Sequence, residues 1–290
     1  MRPDPLKIQA LMREAASTYI VPRFRNLKSG EIDEKTSPND LVTLADIEAE
    51  AFLEQAFGKL YPSIRFMGEE KVHRVPKTLD LLKQSSDDYF VVDPVDGTNN
   101  FVAGDENFGL MVSFVRGGKV EQAYIYDILK DRFMTAVRGE GAFDDGRKIM
   151  MPTKPSAVIG FAKDVYDRDG ANGGTNGGNP HGTRGQFNLA AGPDAKGMKW
   201  YLLRCSAHEY LHLVRGQERF YIAEHVKPWD HLAGSLIVRE AGGVSAKWDG
   251  RNYQPSDLNA SILCAATEQD WHDLHRQLLQ PAIKPAKLSK

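Results

Sequence analysis

Four carboxylates stand in three short, unusual contexts. Glu69 lies in Gly68-Glu69-Glu70, Asp93 and Asp96 in Asp93-Pro94-Val95-Asp96-Gly97-Thr98, and Asp230 follows Trp229. Oxygen-only clusters of this kind suit hard cations such as Mg2+. Mg2+ beside a phosphate-cradling loop points to phosphoryl chemistry, with a water made acidic enough to attack phosphorus. The local physics supports such a site. Apolar Phe90-Val91-Val92 predicts a buried strand that delivers Asp93 from its end. Pro94 fixes its own φ and restricts Asp93 to extended geometry. Gly97 permits a tight turn and a close backbone approach to a ligand. Thr98 can cap a helix or turn, leaving N–H groups to face an anion. Two acids three apart across that turn could share one metal or hold two. The bland alternative is a solvated turn, because Asp, Pro and Gly are ordinary turn residues. The company of Gly68-Glu69-Glu70 and Trp229-Asp230 argues against it.

The elements that must position these groups are legible in outline. Leu6, Ile8, Leu11, Met12, Ala15, Ala16, Tyr19 and Ile20 recur at helical spacing and predict an amphipathic helix over 5–24. A second helix is expected from Thr43 to Leu60, with Asp46 in its first turn. Alternating runs at 109–115 and 120–126, joined by Arg116-Gly117-Gly118-Lys119, read as a hairpin, and 133–137 as a further strand. In the second half, helices are expected at 206–214, from Trp229 to Gly242, and after Thr267, where Asp270 completes a capping-box-like pair. Short strands at 220–223, 243–246 and 262–265 alternate with them. The reading is therefore an α/β chain: residues 1–150 an α+β half carrying most of the acids, residues 151–290 an α/β half that adds Asp230. The Gly- and Asn-rich stretch 167–189 has the composition of a loop without a core of its own.

Composition narrows the function classes. The 290 residues can bury a real core. Thirty-seven Lys+Arg against 39 Asp+Glu lack the basic surplus of a duplex DNA binder. No apolar run reaches the length of a membrane span. The N-terminus shows no secretory h-region. Cys205 and Cys264 sit in apolar contexts and read as buried free thiols, which suits a reducing cytoplasm.

One rival constellation comes from a different class. His208-Glu209-Tyr210-Leu211-His212 matches H-E-x-x-H, the helical zinc-peptidase motif, with Glu224, His225 and His231 as candidate third ligands. It explains fewer segments than the phosphoryl-transfer reading.

The carboxylate segments resemble the inositol monophosphatase family of Mg2+-dependent, lithium-sensitive phosphatases. The family pattern G-E-E, D-P-[IV]-D-G-T-x-N-F and W-D-x-A-[GA] corresponds to Gly68–Glu70, Asp93–Phe101 and the segment from Trp229, where Leu232 and Ala233 stand in place of the family's usual small apolar pair. Lys35 to Asp46 resembles its K-x-x-x-x-D-x-V-T-x-x-D, and Gly139–Phe143 its G-x-G-A-[FY]. The resemblance implies a layered α/β/α/β/α sandwich and hydrolysis of a small phosphate monoester with Mg2+, by a cytoplasmic homodimer without nucleic-acid or membrane partners. It implies metal ligation by Glu69, Asp93, the Val95 carbonyl, Asp96 and Asp230. Glu69 and Thr98, backed by Asp46, would orient the attacking water, and Asp96, Gly97 and Thr98 would face the phosphate group. Asn99-Asn100-Phe101 favours inositol 1-phosphate or a similar polyol phosphate, ahead of histidinol phosphate and then fructose 1,6-bisphosphate. The chain departs where substrate is chosen. Inositol-selective members carry a Glu seven residues before the W-D aspartate. Here that position is Ala223, with Glu224 one step later; a one-residue shift would make Glu224 the substrate-binding acid, and without it the sugar-binding role is lost.

Overall fold

The computed structural model describes residues 2–35, 40–83, 87–153, 159–163, 183–186 and 199–279. The Thr36–Asn39 part of the Lys35–Asp46 block, most of the 167–189 stretch, and Lys284, Lys287 and Lys290, expected to form a loose tail, lie outside them. Within that stretch, residues 183–186 form a strand where a loop was expected.

Two sheets share one helical layer. The first holds β3 (Arg65–Gly68), β4 (Tyr89–Asp96), β5 (Gly109–Arg116), β6 (Lys119–Asp127), β7 (Arg132–Val137), β8 (Gly141–Asp144) and β9 (Arg147–Ile149), side by side in chain order. Only β3 and β4 run parallel; the other pairs are antiparallel. The β5–β6 turn uses Gly117 and Gly118 at φ 55° and 72°, the double left-handed geometry of a tight hairpin. The second sheet runs β11 (Thr183–Gln186), β12 (Lys199–Leu202), β10 (Ile159–Lys163), β13 (Phe220–Ala223), β15 (Ile262–Ala265) and β14 (Val244–Lys247). A short ribbon pairs β1 (Ile32–Glu34) with β2 (Leu41–Thr43).

Period-two alternation fixes the layers. On β4, Phe90 and Val92 pack with Ile8, Met12, Leu53 and Phe57 from α1 (Pro5–Ala15) and α2 (Leu44–Leu60). Tyr89 and Val91 face the other way, toward α5 (Ser206–Val214) and α6 (Pro228–Glu240). The second sheet repeats the device. Tyr221, Ala223, Ile262 and Cys264 turn to α5 and α6, whereas Phe220, Ile222, Leu263 and Ala265 turn to Trp271 and Leu274 of α7 (Glu268–Leu279). The result is a helix–sheet–helix–sheet–helix sandwich, as expected. Phe57 stacks on Phe90 with ring centroids 4.4 Å apart, an aromatic seal between α2 and β4.

Two further expectations need correction. The 5–24 helix is α-helical only through Ala15; a π turn covers Ala16–Ile20 and a 3-10 turn Val21–Arg23. β4 also runs on through Asp96 instead of ending at Val92, with a register break between Asp93 and Asp96. Pro94 lacks the N–H a regular ladder needs, and the break absorbs it.

Candidate active site

Three elements bring three carboxylates together. Asp93 comes from β4, Glu69 is the first residue of α3 (Glu69–Arg74), and Asp230 lies in the first turn of α6. One oxygen from each lies within 4.8 Å of the others. Burial, then the charges of Glu69, Asp96 and Asp230, pushes the Asp93 carboxyl far above its ordinary range. Burial, opposed by Lys35 but aided by Asp230 and Glu70, raises Glu69 to about 7. Lys35 answers part of this charge: its Nζ lies 2.7 Å from Glu69 Oε1 and 2.5 Å from Glu70 Oε1. Burial works against its charge, but the two glutamates outweigh that and hold the ammonium form.

The Asp93–Thr98 turn is tied back to α2. Thr98 Oγ1 lies 3.0 Å from both Asp46 Oδ1 and the Val95 carbonyl oxygen, and donates toward them. Asp46 Oδ2 accepts from the Thr43 N–H at 2.8 Å and the Thr43 hydroxyl at 2.5 Å, closing the capping box at the start of α2. Burial, offset by the Thr43 hydrogen bonds, leaves the Asp46 carboxyl at about 6. Gly97 takes φ 89° and opens α4 (Thr98–Ala103). A Cβ there would meet the Asn107 carbonyl oxygen at 2.7 Å, so both backbone angle and space require glycine.

Asp96 stands outside the three-carboxylate group. Its Oδ2 accepts from the Ala207 N–H at 2.5 Å and the Cys205 thiol at 3.0 Å. It therefore sits on the positive end of α5, which explains the orientation. Trp229 is half-buried against the central core, and Gly234, one turn past Asp230, leaves room for the Tyr210 ring, 2.1 Å from where a Cβ would be. That close approach seats α6 on α5.

Comparison with known proteins settles the family. The inositol monophosphatase family profile matches residues 6–284. The chain belongs to that family. Like its other members it is a metal-dependent phosphatase. A fructose-1,6-bisphosphatase/inositol-1-monophosphatase of Thermotoga maritima is 26% identical over 230 residues, 79% of each chain. Nus factor SuhB of Salmonella typhimurium is 27% identical over 249 residues, 86% of this chain and 87% of its own. Staphylococcal inositol monophosphatase-1, solved as a complex soaked in 100 mM LiCl, has the same fold at TM-score 0.74 and 19% identity, covering 97% of both chains.

The donor set fits what an inositol monophosphatase needs. Buried carboxylate oxygens that repel one another are the environment a hard divalent cation neutralises.

The H-E-x-x-H motif of this family member serves packing instead. Among the described residues, Glu69, Asp93 and Asp230 form the one group placed to hold a metal. His208 Nε2 lies 3.1 Å from the Phe108 carbonyl oxygen, and Glu209 Oε1 accepts from the Leu203 N–H at 3.1 Å. His231 Nδ1 is 3.2 Å from the Tyr210 hydroxyl. The helix is buried between the sheets and not at the surface. Glu224 is buried just beyond β13, outside the three-carboxylate group.

Sequence reasoning missed two supporting residues. Glu50, fully buried on α2, accepts from the Glu70 N–H at 2.8 Å and the Lys71 N–H at 2.7 Å. Burial, opposed by those two bonds, puts its carboxyl at about 7. A signal was present: Glu50 is four residues after Asp46, on the same helix face. Cys205 was read only as a buried thiol; its contact with Asp96 needs the tertiary fold.

Proposed function

We propose that this phosphatase hydrolyses a small polyol phosphate monoester in the cytoplasm, inositol 1-phosphate first among candidates, with Mg2+ as its cation. One observation carries the reading: Glu69, Asp93 and Asp230 converge within 4.8 Å, beside the Thr98–Asp46 hydrogen bond. Glu69, Asp93 and the Val95 carbonyl would hold one cation, and Asp93, Asp96 and Asp230 a second. Bound there, the cations supply positive charge for the phosphoryl oxygens and a more acidic water.

The chain's own groups do the rest. The Thr98 hydroxyl donates a hydrogen bond to Asp46, which leaves an Oγ1 lone pair to accept from the attacking water. Glu69 takes the second hydrogen bond of that water, fixing its direction toward phosphorus. The Gly97 and Thr98 N–H groups, at the turn into α4, would donate to the phosphate oxygens. Lys35 restrains Glu69 and Glu70 from mutual repulsion. Lithium inhibition is expected, as named for the staphylococcal relative. A homodimer without nucleic-acid partners completes the proposal; the near balance of 37 basic and 39 acidic residues supplies no basic surplus for duplex binding.

Histidinol phosphate is the second reading. Ala223 stands where inositol-selective members carry a glutamate, so the pocket is not bound to a polyol. A phosphate-release screen over inositol 1-phosphate, histidinol phosphate and fructose 1,6-bisphosphate, with Mg2+, tests both. No release from any of them would refute the catalytic reading of these substrates.

A further inference from the structure

Gly68 presents a puzzle whose answer is Glu50. Gly68 has φ −110° and ψ 159°, an ordinary extended conformation that any residue adopts. Its backbone therefore does not demand glycine, unlike Gly97. Space does. A Cβ on Gly68 would lie 2.1 Å from Glu50 Oε2 and 2.2 Å from Glu50 Cδ. The Glu50 carboxylate fills the place of the missing side chain.

From there it does the work of a helix cap. Gly68 is the N-cap of α3 and has no side chain to offer. The N–H groups of the second and third helical residues, Glu70 and Lys71, would lack acceptors. Glu50 provides one oxygen for each, at 2.8 Å and 2.7 Å. The first residue of that turn is Glu69. Asp46, four residues earlier on α2, binds the other wall through Thr98. One helix face thus carries two buried carboxylates, each fixing a different strand end of the site.

We infer that Glu50 is a positioning residue: by capping α3 in place of Gly68 it sets the direction of the Glu69 carboxylate and so the affinity for the cation. The inference rests on the reading of Glu69, Asp93 and Asp230 as cation ligands. Residues that orient metal ligands typically govern affinity by roughly 10- to 100-fold.

The test is cation binding to the whole chain, by Mn2+ paramagnetic resonance or Mg2+ calorimetry, with thermal unfolding in parallel. Glu50→Gln keeps the shape but turns an N–H2 toward one of the two N–H donors. It should weaken cation binding roughly tenfold, and excess Mg2+ should restore kcat. Simple destabilisation would lower the active fraction without moving half-saturation. Gly68→Ala should weaken binding similarly, by displacing Glu50. If Glu50→Gln fails to fold, Gly68→Ala carries the test. In a Glu50→Ala background, Gly68→Ala should add almost nothing, because the collision is gone. Unchanged affinity in the single variants, or additive losses in the pair, overturns the role of Glu50. Wild type that binds no cation, or that still binds it after loss of Asp93, overturns the underlying reading instead.

Discussion

The Cys205 thiol donates to Asp96 Oδ2 at 3.0 Å, joining the N-terminus of α5 to the end of β4. Burial, then the Asp96 charge, pushes the Cys205 thiol well above its usual range. Burial, only partly offset by Ser245, raises Cys264 to about 12. Neither thiol is a ready nucleophile. Native protein at pH 8 should release almost no chromophore from Ellman's reagent over minutes, and two thiols per chain in guanidinium. Rapid native reaction of even one thiol would show that the α5–β4 junction opens readily.

Asp93→Asn removes the charge shared by both proposed cations. Turnover should fall by at least about a thousandfold. The metal-free protein should unfold at a higher temperature than wild type, because position 93 no longer repels Glu69, Asp96 and Asp230. A variant keeping a tenth of wild-type activity contradicts the bridging assignment; the melting temperature checks the repulsion separately.

Removal of divalent cations by EDTA should abolish phosphate release, and Mg2+ should restore it. Lithium at millimolar order should inhibit the restored enzyme. Activity that survives exhaustive chelation would exclude the cation-dependent reading.

His212 sets an acid limb of stability. Burial, then His208, Arg215 and Lys130, lowers its pKa to about 4 from an ordinary 6.5. Between those values the unfolded chain binds the proton and the folded chain does not. Its contribution is complete above pH 6.5 and fades as pH falls toward 4, by at most about 3 kcal/mol. His212→Gln should therefore lose less melting temperature than wild type between pH 6.5 and 4.5. Parallel curves for the two proteins would contradict this assignment.

Glu224 is the proposed selector of the leaving group. If it reaches the leaving-group hydroxyls, Glu224→Gln should raise KM for inositol 1-phosphate roughly tenfold, the worth of one charged hydrogen bond. The check is the ratio of kcat/KM for inositol 1-phosphate and histidinol phosphate in both proteins. An unchanged ratio removes Glu224 from substrate selection.

Local chemistry made the outline legible. The Gly117-Gly118 turn, the Thr43 cap of α2 and the Thr267–Asp270 start of α7 all announce themselves through residues a few positions apart. Glu69, Asp93 and Asp230 were conspicuous because their three segments occur together, although each alone could be an ordinary turn or loop. What stayed hidden depends on distant chain segments. Asp96 turning to α5, Glu50 filling the space at Gly68, and Tyr210 needing Gly234 are pairings between elements. No periodicity encodes them. The H-E-x-x-H motif shows the converse: five adjacent residues suggested a metal site, and burial between two sheets gave them other partners.

The shared helical layer has a consequence for biosynthesis. Glu69 and Asp93 leave the ribosome long before Asp230, and the first sheet is finished before α5 and α6 exist. Until those helices arrive, Met111, Ile125 and Met134 have no cover on their inner face. The nascent chain must shield an apolar sheet while its cation cluster is still one carboxylate short. A cation held by all three acids can therefore reward only the finished chain, not the half-made one.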